Sequence, residues 1–413
     1  METLRILHTA DWHLGISLGP HRRLDEQEAF VAEIARLADT FRAHLVLIAG
    51  DVFDTENPPA RAEELYYRAL CLLAREGRHV VVIAGNHDQP ERLAAAAPLA
   101  ARHRIHVLGR PRAEPPSGPG VLASGPSYLH LRGPDWPYTA AVLALPYPSE
   151  ARLGAPPAAW AAREGEQQEA YAGLVGALWR ELAAGCLPGA VNLAVSHLYV
   201  RGGLTSASER FLSVGGAYAV DPGAFPSGLQ YIALGHLHRP QEVRGACAPC
   251  RYSGSPLAYS FSEAGQAKSV VLVEAAPGLP ARCEEAVLDA GRPLACWRAT
   301  GGFAEALAWC REGRDPAAWI DLEVHSPAPL TREQENALRE LRPEIVNLRV
   351  VLTGSPGAAG ARAVDYASLP LDELFARFYR RQTGGGEPDP ELVGVFLELA
   401  GAAEGEEAPD ATG

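Results

Sequence analysis

The 413-residue chain is predicted to be an α/β protein: two packed sheets flanked by helices, then a small α/β domain and a C-terminal helix pair. Three observations predict this. Between Leu4 and Leu108, short apolar runs rich in branched side chains alternate with helical periodicity, the order of a parallel sheet with right-handed crossovers. Short strand candidates separated by Pro and Gly then follow, which asks for a second sheet. Two stretches, Ala275-Ala276-Pro277-Gly278-Leu279-Pro280 and Gly354–Gly360, have the composition of domain breaks.

The elements follow in order. Leu4–Leu7, Leu45–Ala49, Val80–Ala84 and Ile105–Leu108 read as strands buried on both faces. Phe30, Val31, Ile34, Leu37, Ala38 and Phe41 recur at helical spacing, and a second helix starts after Pro58-Pro59 with Leu65, Leu70, Leu72 and Leu73. Strands at Val121–Ala123, Tyr128–Leu131, Ala141–Leu145, Val191–Val195, Leu229–Leu234 and Ser269–Glu274, with a helix near Gln167–Ala184, make the second half of a domain spanning 1–275. Residues 276–355 read strand, helix, strand, helix, strand: Ala295–Ala299, Phe303–Cys310, Trp319–Val324, Arg332–Leu341 and Val346–Leu352. Two helices, Leu369–Arg381 and Pro390–Leu399, fill 356–402, and the small, acidic tail 403–413 is expected to be disordered.

Hydrophobic content of 47% and charged content of 21% are those of a soluble globular protein. No secretory leader is visible and no apolar run reaches the ~20 residues of a membrane span, so a cytoplasmic protein is expected. Seven scattered cysteines do not make a disulfide framework, and Cys247-Ala-Pro-Cys250 lacks the second pair of a zinc site and reads as a turn. A net charge of −13 argues against a protein that coats nucleic acid indiscriminately, without excluding a local basic groove.

Chemistry concentrates in five clusters, each at the end of an apolar run: Asp11-Trp12-His13, Gly50-Asp51-Val52-Phe53-Asp54, Gly85-Asn86-His87-Asp88, Ser196-His197 and Gly235-His236-Leu237-His238. Loops at strand ends are where open sheets present ligands, and Gly50, Gly85 and Gly235 let the backbone turn sharply there. Asp11, His13, Asp51, Asn86, His197, His236 and His238 can fill two adjacent divalent sites around one shared carboxylate. The two aspartates cancel only part of the charge of two divalent ions, which leaves a centre that attracts a phosphodiester. The absence of cysteine disfavours a closed structural zinc site. Asp88 is expected to cap the helix beginning near Pro90, and His8, on a strand, to be a packed core histidine.

These clusters resemble the phosphoesterase motifs of the calcineurin-like metallophosphoesterase superfamily and, within it, of the bacterial SbcD nucleases. His8-Thr9-Ala10-Asp11-Trp12-His13-Leu14-Gly15, Ala49-Gly50-Asp51-Val52-Phe53-Asp54-Thr55, Ala84-Gly85-Asn86-His87-Asp88, Tyr231–Arg239 and Tyr252-Ser253-Gly254-Ser255-Pro256 carry the resemblance, with a segment from Ser208-Glu209-Arg210 to Gly215-Gly216 beside them. The resemblance implies a two-sheet metallophosphoesterase sandwich with a small capping domain. It implies that Asp11, His13, Asp51 and His238 hold a first manganese ion, and that Asn86, His197 and His236 complete a second with Asp51 bridging. His87 matches the family's catalytic histidine, an imidazole able to give a proton or a hydrogen bond to the phosphate or the leaving oxygen. Asp54, where archaeal and eukaryotic relatives usually carry histidine, either bonds His87 and fixes its tautomer or only shapes its loop.

Arg22, Arg23, Arg61, Arg201, Arg210 and Arg239 fall near the motif loops and are candidates to contact DNA phosphates. Leu374, Phe375, Phe378 and Tyr379, then Leu392, Val395 and Phe396, form apolar faces suited to a partner or to the chain's own surface. The family pattern makes that partner the SbcC ATPase, in an assembly with two copies of each subunit. The implied activity is ATP-regulated exonuclease and hairpin endonuclease cleavage of DNA in repair, recombination and replication, close to the nucleoid. The alternatives are a small-molecule or protein phosphoesterase with the same centre, and a scaffold that tethers DNA ends.

Overall fold

Alternation of side chains along buried strands decides the architecture. Leu4–Thr9, Leu45–Ala49, His79–Ile83 and Ile105–Leu108 are parallel neighbours in a six-stranded sheet, which Ser269–Ala275 and Arg282–Val287 extend in antiparallel sense beyond Leu4–Thr9. Ile6, Leu45, Leu47, Val81 and Ile83 point one way, onto Val142, Ala144, Leu193, Val195 and Ala233 of a seven-stranded sheet. Leu7, Val46, Ile48, Val80 and Val82 point the other way, onto the helices Leu24–Thr40 and Ala60–Leu73. In the second sheet Ala140–Leu145, Val191–His197, Tyr231–Gly235 and Cys250–Tyr252 run parallel. Its outer residues Leu143, Ala194, Ile232 and Leu234 pack with Val175, Leu178 and Trp179 of the helix Glu164–Leu182. Each fully buried aliphatic side chain contributes roughly 1.5–3 kcal/mol, so a one-residue slip of register is strongly opposed. The helix-flanked two-sheet sandwich is the expected one. The computed structural model describes residues 2–153, 164–206, 208–209, 219–353, 374–377, 379, 388–389 and 392–396.

The break expected after residue 275 is a hairpin. Leu279 N donates to Ala276 O at 3.3 Å, Gly278 takes φ 75°, and Arg282–Val287 pairs back on Ser269–Ala275. The Pro-Gly composition serves a tight turn inside the first sheet, and the next sheet begins at Leu294. That sheet has three strands, Leu294–Ala299, Trp319–Ser326 and Ile345–Leu352, the first two parallel. Phe303–Glu312 and Arg332–Leu341 cover it through Ala306, Cys310 and Leu338, the second helix opening on a Thr331–Gln334 capping box.

Buried Glu26 joins this sheet to the sandwich. It accepts from Arg23 Nε at 2.9 Å, Trp319 Nε1 at 3.0 Å and Arg292 N at 2.8 Å. Arg23 is therefore not available to DNA as expected: it is 2% exposed and committed to Glu26 and the carbonyl of Ala258. An acidic residue three positions on, facing the same interface, draws the guanidinium inward.

Residues from 352 onward form a separate unit. Within it 374–377 and 392–396 are helical, and the rings of Phe375 and Phe396 stack with centroids 4.3 Å apart. Leu374 and Tyr379 are partly buried, whereas Leu392 and Val395 are 41% and 52% exposed. Phe378 and the tail 403–413 lie outside the described residues. No helix among the described residues is long and apolar enough to cross a membrane.

Candidate metal centre

The carboxyl ends of the two sheets meet, and the loops leaving them supply the chemistry. The approach is close: a Cβ on Gly235 would lie 1.9 Å from Ala49 O, and one on Gly85 would lie 2.1 Å from Asp51 Oδ1. Only glycine permits these contacts. Four candidate ligands take positive φ, namely Asp11 (54°), His13 (42°), Asp51 (47°) and His236 (103°). Such conformations cost on the order of 1–3 kcal/mol each and gather at functional sites.

Asp51 lies at the centre. Its Oδ1 accepts the His87 N–H at 2.9 Å, while its Oδ2 lies 3.5 Å from His13 Nε2 and 3.4 Å from His197 Nε2. On the His197 side, Asn86 Oδ1 is 2.9 Å from His197 Nε2 and 3.0 Å from His236 Nδ1. On the His13 side, one ligand atom each from Asp11, His13 and His238 lie within 4.8 Å of one another, and Asp11, Asp51 and His197 form an overlapping group on the same criterion. All seven candidate ligands thus converge where the two sheets' carboxyl ends meet.

Hydrogen bonds set the tautomers. His197 Nδ1 donates to the Ala49 carbonyl at 2.8 Å, which leaves Nε2 as the nitrogen toward Asp51. His87 Nδ1 donates to the backbone carbonyl of Asp54 at 2.7 Å, so His87 Nε2 is left without a partner. The Asp54 carboxylate goes elsewhere: its Oδ1 lies 3.4 Å from His13 Nδ1. The alternative in which the Asp54 side chain bonds His87 is therefore not what the geometry holds, because the main chain at 54 occupies that position. His13, Asp54 and His87 form a third close group beside the other two.

Electrostatics match. Burial opposes ionisation of Asp51, yet the charge of His197 overrides it and holds the carboxyl well below its usual range. Burial alone would lower His197, but Asp51 and Asp11 lift it to about 9. Burial, with Asp51 nearby, pushes Asp11 well above the carboxylate range. Desolvation lowers His236 to about 3. Asp11 Oδ2, both His13 nitrogens and His87 Nε2 are buried without a hydrogen-bond partner. Unpaired buried groups cost about 1–3 kcal/mol each, and cations are the natural partners of lone pairs on two carboxylates, an amide oxygen and four imidazoles. The donor set fits a dinuclear divalent metal centre.

Several supporting residues carry no local signal in the sequence. Asp88 does not cap the helix at Pro90; Gln89 does, by accepting from Arg92 N. Asp88 is fully buried and accepts from Val52 N at 3.1 Å, Phe53 N at 2.9 Å and Gly85 N at 2.8 Å, clamping two ligand loops together. Three converging amide dipoles outcompete one frayed helix end for a buried carboxylate. Arg152 donates to Gly85 O at 2.8 Å and Asp88 O at 2.7 Å, bracketing the Asn86–His87 turn. Tyr259 Oη donates to Asp11 O or Trp12 O (2.8 and 2.7 Å), with its ring against His13 and His238. His8 is a buried core histidine, its Nδ1 2.8 Å from Tyr231 Oη. Arg22, Arg61, Arg201 and Arg239 are exposed, and Arg210 lies outside the described residues.

Residues 4–240 match the family model of the calcineurin-like phosphoesterases, and residues 290–383 match that of the type 5 capsule protein repressor C-terminal domain. The chain is 42% identical to the SbcD subunit of the SbcCD nuclease of Bacillus subtilis (strain 168), over 98% of this chain and 100% of that protein. It is 38% identical to the SbcD subunit from Rhodobacter capsulatus, over 68% of each chain. With that of Escherichia coli (strain K12) it shares 32% identity over 78% of each.

Proposed function

We propose that this chain, which belongs to the calcineurin-like phosphoesterase family and stands there among the SbcD subunits of SbcCD nucleases, is a metal-dependent nuclease that hydrolyses DNA phosphodiesters as the D-type subunit of an SbcCD complex. The observation that carries the mechanism is the place of Asp51, with Oδ2 between His13 Nε2 and His197 Nε2 at 3.5 and 3.4 Å. Asp11, His13, Asp51 and His238 would hold one ion, and Asp51, Asn86, His197 and His236 the other. When bound, two divalent ions activate water and neutralise charge on the phosphoryl oxygens. The chain's own residues do the rest. With an ion in place of the His197 proton, the amide oxygen of Asn86 and the then neutral imidazoles would keep the centre electropositive, so that it draws a phosphodiester in. His87, with Nδ1–H tied to the Asp54 carbonyl, presents Nε2, which in the imidazolium form gives its proton to the leaving oxygen and leaves the ring neutral.

Hard and borderline oxygen and nitrogen ligands suit manganese. Arg22 and Arg61 line one cleft of about 250 Å³ with Pro59 and with Gly15, which stands two residues past His13, and with Arg201 and Arg239 they supply phosphate contacts for DNA ends and hairpins. The three-stranded sheet, locked on through Glu26, is the capping domain. Leu374, Phe375, Tyr379, Leu392, Val395 and Phe396 serve the SbcC ATPase, through which ATP governs cleavage in an assembly with two copies of each subunit, in the cytoplasm at the nucleoid.

The test is cleavage of hairpin and linear duplex DNA with manganese, magnesium or chelator, each with and without SbcC and ATP, beside turnover of a nitrophenyl phosphodiester. Manganese-dependent DNA cutting that ATP and SbcC control is expected. Turnover of the small diester with DNA left intact in the full complex would overturn the nuclease reading.

A further inference from the structure

We propose that Ser208, Glu263 and Lys268 are positioning residues for the metal centre: a proton-ordering chain that holds His238 in the tautomer able to bind an ion. This rests on the dinuclear reading above. Behind the ring of His238 runs a chain of hydrogen-bonded side chains. Its Nδ1 is 2.9 Å from Ser208 Oγ. Ser208 Oγ is in turn 2.7 Å from Glu263 Oε1 and 2.7 Å from Ser206 Oγ. Glu263 Oε2 takes Lys268 Nζ at 2.5 Å, and the same ammonium donates to His238 O at 2.9 Å and to Ser255 Oγ at 3.1 Å. Glu263, Lys268 and His238 are all buried.

Donor and acceptor counting gives the chain a direction. The three protons of Lys268 have three acceptors, and one of these is the Glu263 carboxylate. That carboxylate, salt-bridged and acceptor-only, takes the single hydroxyl proton of Ser208. The Ser208 oxygen is then left with lone pairs alone, so it accepts from His238 Nδ1–H. With Nδ1 protonated, Nε2 is the free nitrogen, and His238 groups with Asp11 and His13 at ligand spacing. Glu209 fixes the same residue from behind: Oε1 accepts from His238 N and Oε2 from Ser206 N at 2.5 Å.

The contrast with His197 sharpens the point. His197 is oriented by a backbone carbonyl, which no substitution at position 49 removes. The tautomer of His238 depends on side chains far away in sequence. Partners of this kind typically set metal affinity by 10–100-fold.

The experiment is calorimetric titration of the full-length, metal-stripped protein with manganese, for wild type, Ser208→Ala, Ser208→Thr and Glu263→Gln, with thermal melts in chelator alongside. Wild type is expected to bind two ions. Ser208→Ala should weaken one of them by about 10–100-fold while its melting temperature in chelator stays at the wild-type value, and Ser208→Thr should restore binding. Glu263→Gln, whose amide can donate into Ser208 and reverse the chain, should weaken the same ion. Wild-type affinity for both ions in Ser208→Ala would overturn the proposal, as would a loss that threonine fails to rescue or that a lowered melting temperature in chelator accompanies. A wild-type protein that binds fewer than two ions would instead defeat the dinuclear reading, and this inference with it.

Discussion

The strand His79–Ile83 has a histidine cluster at each end, and the two behave oppositely. At its start, His79 stacks on His106 with ring centroids 5.3 Å apart and an 11° interplanar angle, Nδ1 of one 3.0 Å from Nε2 of the other. Burial lowers them to about 3 and about 4, so both stay neutral. Beyond its other end lie Asp51 and His197, where burial is equally complete and yet His197 is lifted to about 9. An unpartnered nitrogen is found in both clusters, at His106 Nδ1 and at His13. What separates them is the pair of carboxylates and the ligand loops held at positive φ. Buried histidines alone make core; the same histidines around strained, clamped aspartates make a metal centre.

Removing that difference should have the largest effect. Asp51→Ala takes away the shared carboxylate, and DNA cleavage is expected to fall by on the order of 10³-fold or more, as for loss of a preorganised electrostatic group, with manganese stoichiometry falling below two ions per chain. An Asp51→Ala protein that cut DNA at the wild-type rate would place the chemistry elsewhere. Next comes His87→Gln. Its ring lies beside His13, with centroids 4.7 Å apart, but outside the seven candidate ligands. The rate constant should drop by about 10²–10⁴-fold with both ions still bound; loss of an ion by calorimetry would make His87 a ligand instead.

The far cluster makes its own prediction, smaller and concerned with stability. Unfolded histidine takes up a proton near 6.5, whereas the folded pair does so near 3 and 4. Between those values the unfolded state holds more protons, so stability is lost as pH falls below 6.5, by up to about 1.4 kcal/mol per pH unit for each histidine. Urea melts of metal-free wild type should therefore show a steeper acid slope than those of His79→Leu/His106→Leu. Equal slopes would mean the pair is not buried neutral. The wild-type and double-variant difference is needed because desolvation also lowers His13, His236 and His238.

The candidate ligands were legible in the sequence because their clusters lie at the ends of apolar strands, three of the five opening on a glycine (Gly50, Gly85 and Gly235), a local signature of a turn at a sheet end. The sandwich was legible because two-faced burial leaves continuous apolar runs. What was not legible depends on long-range pairing. Asp88 reads as a cap because Pro90 follows it, but its true partners, Val52 and Phe53, are brought to it by the parallel pairing of Leu45–Ala49 with His79–Ile83. Arg23 reads as a surface charge until Trp319 and Arg292 bury its partner Glu26. Pro277–Pro280 has linker composition and hairpin geometry, since a turn and a linker use the same residues.

The smallest expected effect is at Asp54, and it tests how finely the two ends of the strand differ. The sequence left open whether this carboxylate sets His87; the structure gives that contact to the backbone carbonyl, at 2.7 Å, and places the carboxylate 3.4 Å from His13 Nδ1. Asp54→Asn keeps the carbonyl and leaves an amide oxygen near His13. Because that oxygen is retained, the rate constant should change by less than about tenfold, below the roughly 10–100-fold that follows when such a partner of a metal ligand is lost. The pH–rate profile should not move, while manganese affinity weakens slightly. A carboxylate bonded to His87 would stabilise its imidazolium, and its loss would shift that limb of the rate profile toward lower pH. A pH–rate profile of Asp54→Asn displaced by a full unit would return the carboxylate to His87, and would make the side chain at 54, rather than its backbone, the feature that turns a buried histidine into a proton donor.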